Sequence, residues 1–291
     1  MADDGRAIHR VFTRGVVGGL LRNGTNAVFD CVVHRYIDEP ENKTYGALFS
    51  EIYAHLGQEQ RNEYYYMNTL LNKLLAGIHS VATTTALSKV RVGRAVADFI
   101  VINGEEKIYA LEVKSELDNF DRLYDQVSSY YKAFRKVSIL VSVRALKRVE
   151  RVLSGFGAMG EGVGIHVLSD RDTIFSKVHG REPKPFDDCL DHSCIFNLLR
   201  KREYENVLLA YGGHIPQVAP VFYYRACLAQ FGQIPILTAQ ALAFQELKKR
   251  NKITKTAFER IPPELKSVVY FSDLTKKLPD IEQLLQTTYR G

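Results

Sequence analysis

The segment Tyr109-Ala-Leu-Glu-Val-Lys-Ser115 decides the fold, because its apolar residues predict a β-strand that nevertheless carries two charges, Glu112 and Lys114. Residues two apart on a strand share a face, so these two side chains project the same way. Fourteen residues before Glu112, a second predicted strand, Ala97-Asp-Phe-Ile-Val-Ile102, carries the carboxylate of Asp98. Charges on an apolar strand are costly unless they are paired or bind an ion. The two segments therefore predict a pair of carboxylates that binds a divalent cation, with a lysine beside it.

The register of the two strands decides whether the carboxylates can meet. A hairpin connected through Asn103-Gly-Glu-Glu-Lys107 sets Ile102 opposite Ile108 and, in the same register, Asp98 opposite Glu112. Directly opposed side chains lie about 4.5–5.5 Å apart at Cβ, which is close enough to share one cation. A two-residue Asn-Gly turn would shift the register by one and move Glu112 to the opposite face. The cation site therefore requires the longer connection or a bulge.

A simpler explanation of the charged strands stays open, namely an ion pair at the strand edge between Lys114 and either Asp98 or Glu112. The next segment favours the cation site over this alternative. Residues 118–134 show helical spacing, with Asp118 as the expected N-cap. Gln126 and Tyr130 are four residues apart and share one face of this helix. A strand over residues 136–142 follows, so the predicted order is three strands, a helix and a strand.

These residues carry a resemblance to a known superfamily. Asp98, the Glu112-Val-Lys114 signature and the following Gln126-x-x-x-Tyr130 helix resemble the PD-(D/E)XK, or restriction-endonuclease-like, nucleases. The chain is similar to uncharacterised bacterial families of that superfamily with a Gln-x-x-x-Tyr element. The likeness covers residues 60–142, and Ala97 stands where the nominal motif has proline. The resemblance implies an α/β fold, with a restriction-endonuclease-like core whose mixed central β-sheet is flanked by helices.

The resemblance also implies a metal-dependent reaction. Asp98 and Glu112 would be ligands of Mg²⁺, with Mn²⁺ as a substitute, and the Val113 carbonyl would be a third ligand. Lys114 would position the attacking water or help to deprotonate it. Mg²⁺ in such sites is held by one or two carboxylates together with water and substrate phosphate. A carboxylate-held ion can activate water and stabilise charge on the phosphate, which is what phosphodiester hydrolysis needs.

Supporting roles are implied for three further residues. Gln126 and Tyr130 would support the site or the scissile phosphate, and a glutamate from the helix before the first strand would complete the acidic set. Glu63 is the candidate for that glutamate, with Glu51 as the second choice. An ordinary exposed glutamate in the first turn of a helix explains Glu63 equally well.

Composition sets the wider frame. The 291 residues are 46% hydrophobic and 25% charged, as expected for globular proteins. No apolar run is long enough for a membrane span, the N-terminus lacks a secretory pattern, and four scattered cysteines argue against a disulfide framework. We therefore expect a cytoplasmic protein with no membrane partner.

The chain is expected to have three parts: an N-terminal helical extension (1–60), a nuclease-like core (61–178) and a basic, mainly helical C-terminal region (179–291). Residues 195–291 contain 14 basic and 8 acidic side chains, which accounts for the whole net charge of +6. This surplus of positive charge is expected either for a surface that binds nucleic acid or for a helical face that is simply exposed to solvent.

Three classes of function follow. The first is a Mg²⁺-dependent nuclease whose partner is nucleic acid, DNA above all, and which could act as a homodimer. The second is a catalytically inactive nuclease fold that serves as a nucleic-acid-binding or assembly module. The third is an unrelated α/β protein-interaction module whose charged strand is an exposed edge.

Overall fold

The computed structural model describes residues 8–59, 61–78, 81–104, 107–116, 118–175, 180–250 and 253–291, in two compact units. The helical unit comprises the described parts of residues 1–82, 115–117 and 253–291, and the sheet unit those of 83–114 and 118–252. The units cut across the three consecutive parts expected from the sequence, since residues 61–82 belong to the helical unit and residues 179–252 to the sheet unit. The C-terminal segment joins the N-terminal helices because Thr288 forms a β-bridge with Thr44.

The described chain is mostly helical. Its α-helices are, in chain order, α1 (Arg14–Asn23), α2 (Ala27–Tyr36), α3 (Tyr45–Glu59), α4 (Glu63–Asn72), α5 (Leu123–Tyr131), α6 (Leu146–Ser154), α7 (Gly157–Gly162), α8 (His192–Phe196), α9 (Lys201–Gly212), α10 (Pro220–Phe231), α11 (Ile236–Lys248), α12 (Lys255–Arg260), α13 (Lys266–Tyr270) and α14 (Leu278–Gln286). A π-helical turn continues α4, and short 3₁₀ helices occupy Ile8–Phe12, Pro40–Asn42, Val143–Ala145, Pro263–Leu265 and Asp273–Lys277. Within the described ranges, none of these helices has the length and apolarity needed to cross a membrane.

The helical unit is held together by buried polar contacts as well as by its apolar core. Asn62 starts α4, where its side chain accepts a hydrogen bond from the backbone N–H of Tyr65. The fully buried amide of Asn68 donates to the Pro263 carbonyl at 2.8 Å and accepts from the Ser267 N–H at 2.9 Å. These bonds fix α4 against the segment that contains α13.

The sheet unit is built on one mixed sheet, as the sequence predicts. Its six strands are β1 (Thr84–Val92), β2 (Ala95–Asn103), β3 (Lys107–Lys114), β4 (Val137–Ser142), β5 (Gly164–Leu168) and β6 (Ile174–Phe175). They lie side by side in chain order. The pairs β1–β2, β2–β3 and β5–β6 are antiparallel, whereas β3–β4 and β4–β5 are parallel. The protein is therefore an α/β protein with a mixed sheet flanked by helices.

The hairpin between β2 and β3 has the longer connection that the cation site requires. Ile102 pairs with Ile108 and Asn103 with Lys107, and Gly104 in the connection has a φ of 62°, which glycine adopts readily. The paired positions end at Phe99 and Leu111. One further step in this register puts Asp98 opposite Glu112, as predicted.

The face of the sheet that carries Asp98 and Glu112 also carries the core of the sheet unit. Alternate residues of the strands pack against buried residues of α5 and of the C-terminal helices, among them Ile100, Ala110, Ile139, Val127, Phe134, Phe196 and Phe244. The Gln240 side chain adds a buried hydrogen bond of 2.7 Å from its amide nitrogen to the Ala133 carbonyl. This bond ties α11 to the end of α5.

Two helix boundaries differ from the sequence-based expectation. The helix expected from Asp118 begins at Leu123, because the chain turns at residues 121 and 122, where the Leu123 N–H donates to the Phe120 carbonyl at 3.0 Å. Helical spacing over residues 191–202 also predicts a single helix, but the structure has two helices there, α8 and α9. Asp191 caps α8, and Glu203 accepts a bond from the Arg200 N–H at the start of α9.

Candidate functional site

Glu112 is the centre of the candidate site. It lies near the end of β3 and is only 3% exposed. Its Oε2 accepts a hydrogen bond from the Tyr130 hydroxyl, and its Oε1 accepts one from the Gln126 amide. The same Oε1 lies 3.2 Å from the Lys114 ammonium. Both helix residues predicted to support the site therefore contact this carboxylate directly.

Lys114 is a buried ammonium group held by two acceptors. It is 6% exposed, and its Nζ donates to Gln126 Oε1 at 3.0 Å while it pairs with Glu112. The Gln126 amide thus bridges the ion pair, with its nitrogen on the carboxylate and its oxygen on the ammonium. Because α5 packs on this face of the sheet, a residue pair spaced four apart, Gln126 and Tyr130, can reach both charged strand residues.

Asp98 lies on the adjacent strand and is 8% exposed. Its Oδ2 accepts a hydrogen bond of 2.9 Å from the backbone N–H of Val113. The Val113 N–H thus donates to the Asp98 side chain and not to a backbone carbonyl of β2, which is consistent with the end of the β2–β3 pairing at Phe99. The Val113 N–H is thus bound to Asp98, while the role expected for its carbonyl as a metal ligand stays a prediction.

Lys89 is a member of the cluster that the sequence reasoning missed. Its Nζ lies 2.7 Å from Asp98 Oδ1, and its backbone has a φ of 51° in the middle of β1. A non-glycine residue in this left-handed region carries a conformational cost of about 1–3 kcal/mol. Ser88 pairs with Phe99 and Val90 with Ala97, so Lys89 stands opposite Asp98. Only this register reveals the contact, because one more lysine in a polar strand is no signal by itself.

The charge state of the cluster is set mainly by burial. Burial, followed by repulsion from Asp98, raises the pKa of Glu112 to about 7, although the Tyr130 hydrogen bond and Lys114 act in the opposite direction. Burial and the neighbouring Glu112 also raise the pKa of Tyr130, which therefore remains a hydrogen-bond donor. The carboxyl of Glu112 can consequently exchange a proton near neutral pH.

The donor set suits a hard cation with few protein ligands. Burial and then repulsion from Asp98 raise the pKa of Glu112, and a cation between the two carboxylates would relieve that repulsion. No group of three or more His, Cys, Asp or Glu side chains is arranged to bind a metal in the portion of the chain that the structure describes. Asp98 and Glu112 alone fit Mg²⁺, which commonly takes one or two carboxylates and completes its shell with water and phosphate.

The two additional glutamates belong to the helical unit, and the role expected for Glu63 stays a prediction. Glu63 is an exposed residue in the first turn of α4 and belongs to the helical unit, whereas Asp98, Glu112, Lys114, Gln126 and Tyr130 all belong to the sheet unit. The second choice, Glu51, is paired with Lys43 at 2.7 Å within the helical unit. The structure thus brings together five of the predicted site residues and adds Lys89 to them.

The C-terminal surplus of positive charge is unevenly distributed. Between residues 206 and 245 the only charged side chain is Arg225. The outer face of α10 is apolar instead, with Val221 78% exposed and Phe222 59% exposed. A surface for nucleic acid in the C-terminal region therefore stays a prediction, and apart from Arg225 only residues outside 206–245 could supply its positive charge.

Comparison with known proteins identifies the family of the chain. Searches of curated proteins and of solved structures give no match. A family model described as Bacteriophage P4 protein cII matches residues 57–269, which is more than two thirds of the 291-residue chain. The match spans β1 to β6 and every residue of the cluster around Asp98 and Glu112. The chain belongs to the bacteriophage P4 protein cII family.

Proposed function

We propose that the protein is a metal-dependent nuclease that hydrolyses phosphodiester bonds, with DNA as the preferred substrate. One observation carries the proposal: Asp98 and Glu112 are buried carboxylates on adjacent strands, and the buried ammonium of Lys114 lies 3.2 Å from Glu112. The Lys114 side chain is 8% exposed and offsets the charge of Glu112, whereas Lys89, which pairs with Asp98, has a side chain that is 53% exposed. A bound divalent cation would offset the burial of the Asp98 carboxylate more fully than this exposed lysine does.

The residues of the cluster have distinct roles in this proposal. Mg²⁺ would supply Lewis acidity toward the phosphate and toward the attacking water. Lys114, which already donates to Gln126, would donate to a phosphate oxygen or orient the water. Gln126 and Tyr130 hold the Glu112 carboxylate from two sides and so fix its direction. A positioned donor in a site protected from water stabilises developing charge far better than one in solution.

The topology supports a restriction-endonuclease-like core for the sheet unit. An antiparallel β1–β2–β3 meander leads into β3, and α5 then crosses over to the parallel strand β4. The charged residues lie on β2 and on β3 just before this crossover. We propose that the sheet unit has a restriction-endonuclease-like core and that the protein belongs to the PD-(D/E)XK superfamily.

The direct test is a panel of end-labelled single-stranded, duplex and branched DNA and RNA substrates with Mg²⁺, Mn²⁺ or EDTA. Lys114→Met keeps the length and apolar stem of the lysine but removes its charge, and is expected to reduce cleavage by about 100-fold or more. Asp98→Asn should do the same. The matched control is Lys147→Met, which removes an exposed lysine of α6 and should leave cleavage unchanged. Equal metal-dependent cleavage by wild type and Lys114→Met would refute the proposed role.

A specific observation favours a second candidate, a catalytically inactive nuclease fold that binds nucleic acid or takes part in an assembly. All four oxygen atoms of Asp98 and Glu112 already accept hydrogen bonds from protein donors. If protein donors serve as permanent partners, the protein should not bind Mn²⁺ in a calorimetric titration, even when a DNA that cannot be hydrolysed is present. Saturable Mn²⁺ binding that Asp98→Asn abolishes would support the nuclease and exclude this candidate.

A further inference from the structure

A cavity of about 650 Å³ lies in the sheet unit at the end of the hairpin remote from Asp98 and Glu112. The strand residues that line it, Ile102 and Ile108, are four positions from Asp98 and Glu112 on the same two strands. At a rise of about 3.3 Å per residue, the cavity and the carboxylates are separated by roughly 13 Å along the strands. The cavity is therefore a distinct place on the molecule, of a volume that small-molecule sites commonly have.

The walls of the cavity are apolar and rigid. Ile102 and Ile108 come from the sheet, and one face of α11 stands opposite them with Leu237, Ala241 and Phe244, which are spaced four and three residues apart. Phe244 is 3% exposed and stacks on the buried ring of Phe134 at 5.2 Å between centroids. Two apolar walls of this kind suit a flat ligand body.

Gln240 contributes a hydrogen-bond acceptor to the wall. Its amide nitrogen is committed to the Ala133 carbonyl at 2.7 Å, and the residue is only 5% exposed. The amide oxygen accepts no hydrogen bond from the described residues, although a glutamine oxygen can accept two. A ligand that carries an N–H group would satisfy it, whereas an acyl chain would not.

Basic residues are among those that line the cavity. Lys248, at the end of α11, and Lys136, at the start of the segment that leads into β4, both line it, and no acidic residue is among the described residues that do so. The Thr85 hydroxyl donates to the Lys248 carbonyl at 2.8 Å and so anchors the end of the helix. Arg135 also lines the cavity, but Asp187 holds its guanidinium with two bonds of 2.7 Å. Lys248 is therefore the cation to which we assign the binding of an anion.

From these features we infer that the cavity binds a nucleoside monophosphate, whose flat base carries N–H donors and whose phosphate is an anion. The base would lie between the sheet and α11 and donate to Gln240 Oε1. The phosphate would lie at Lys248. A free acyl carboxylate fits the charge but leaves Gln240 without a donor, and inorganic phosphate fits the charge but leaves the apolar walls in contact with water.

Calorimetric titration of the full chain tests this inference, with AMP, adenosine, inorganic phosphate and decanoate as separate probes. All titrations are done in EDTA, so a metal-dependent site cannot contribute and the result is independent of the proposed nuclease activity. AMP should bind saturably, and adenosine and phosphate should each bind about tenfold more weakly or worse, because each lacks one of the two recognised parts.

Two variants and a control locate the binding. Lys248→Gln should weaken AMP binding by about tenfold, the value of one charge-assisted hydrogen bond. Ala241→Trp fills the cavity from an exposed helical position and should abolish AMP binding, while circular dichroism checks that the fold is retained. Lys147→Gln, at a lysine outside the cavity, should bind AMP as wild type does. The inference is overturned if AMP does not bind, if Ala241→Trp binds it normally, or if decanoate or phosphate binds as tightly as AMP.

Discussion

The protonation of Glu112 makes a prediction that can be measured without any substrate. The folded protein holds this carboxyl at a pKa of about 7, against an ordinary value of 4.5 for a glutamate. The folded state therefore keeps a proton that the unfolded state loses once the pH rises above 4.5. Between these two values the free energy of unfolding falls as the pH rises, and above pH 7 this contribution no longer changes.

The magnitude follows from the two pKa values. At about 1.4 kcal/mol for each pKa unit, the free energy of unfolding should fall by about 3 kcal/mol from pH 4.5 to pH 7 because of Glu112 alone. Glu112→Gln keeps an oxygen that can accept from the Tyr130 hydroxyl but cannot titrate. The difference in unfolding free energy between wild type and Glu112→Gln should therefore shift by about 3 kcal/mol across this range, in favour of the variant at higher pH.

Hydrogen exchange in increasing urea, read by mass spectrometry on a peptide that spans Lys107–Lys114, is the suitable assay. The chain contains no tryptophan, and two compact units need not unfold in one step, so a local probe of β3 is better than a global signal. Glu150→Gln, at an exposed position of α6, is the matched control and should follow the wild-type pH profile. If wild type and Glu112→Gln show parallel profiles, Glu112 titrates as an ordinary glutamate and the buried-pair reasoning is refuted.

Three further predictions concern the neighbours of this carboxylate. Tyr130→Phe removes a buried hydrogen-bond donor to Glu112, so the pKa of Glu112 should rise further. The activation free energy of cleavage should rise by about 0.5–1.5 kcal/mol, the value of one hydrogen bond. A ¹³C titration that shows a lower pKa of Glu112 in the variant would contradict this prediction. Lys89→Gln removes the ammonium 2.7 Å from Asp98 and should tighten Mn²⁺ binding in calorimetry, whereas Arg91→Gln should not; equal affinities would contradict it. Lys89→Gly should in addition remove the backbone strain of a φ of 51°, and thermal unfolding would measure the effect.

The sequence predicts the hairpin and its cluster well because period-two patterning fixes which strand residues share a face. The pairing of Ile102 with Ile108 is confirmed, and so is the mixed sheet. Gln126 and Tyr130 reach Glu112 as their spacing of four suggests. Local periodicity is sufficient to predict side-chain contacts where the contacting residues lie on neighbouring elements.

Contacts between distant segments escape such reasoning. Nothing in the pattern of the residues near position 68 indicates that Asn68 binds residues near position 265, yet this contact joins the C-terminal helices to α4. Lys89 is hidden for a different reason, since its role depends on a left-handed backbone angle inside a strand that no propensity predicts. The division into two units depends on contacts between segments that are distant in the sequence. A division into three consecutive parts, as expected from the sequence, therefore does not reproduce it.

The charge balance of the cluster links metal and substrate in the proposed nuclease. Lys89 pairs with Asp98, and Lys114 with Glu112, so the four groups sum to zero when all are ionised. A divalent cation alone would leave this buried cluster with an excess of two positive charges, which burial disfavours. A phosphodiester supplies negative charge at the same place and reduces that excess. Metal and nucleic acid should therefore strengthen each other's binding by the same factor, as thermodynamic linkage requires. Full occupancy by the metal is then expected only when nucleic acid is bound, so the metal-free protein retains its own ion pairs until a substrate arrives.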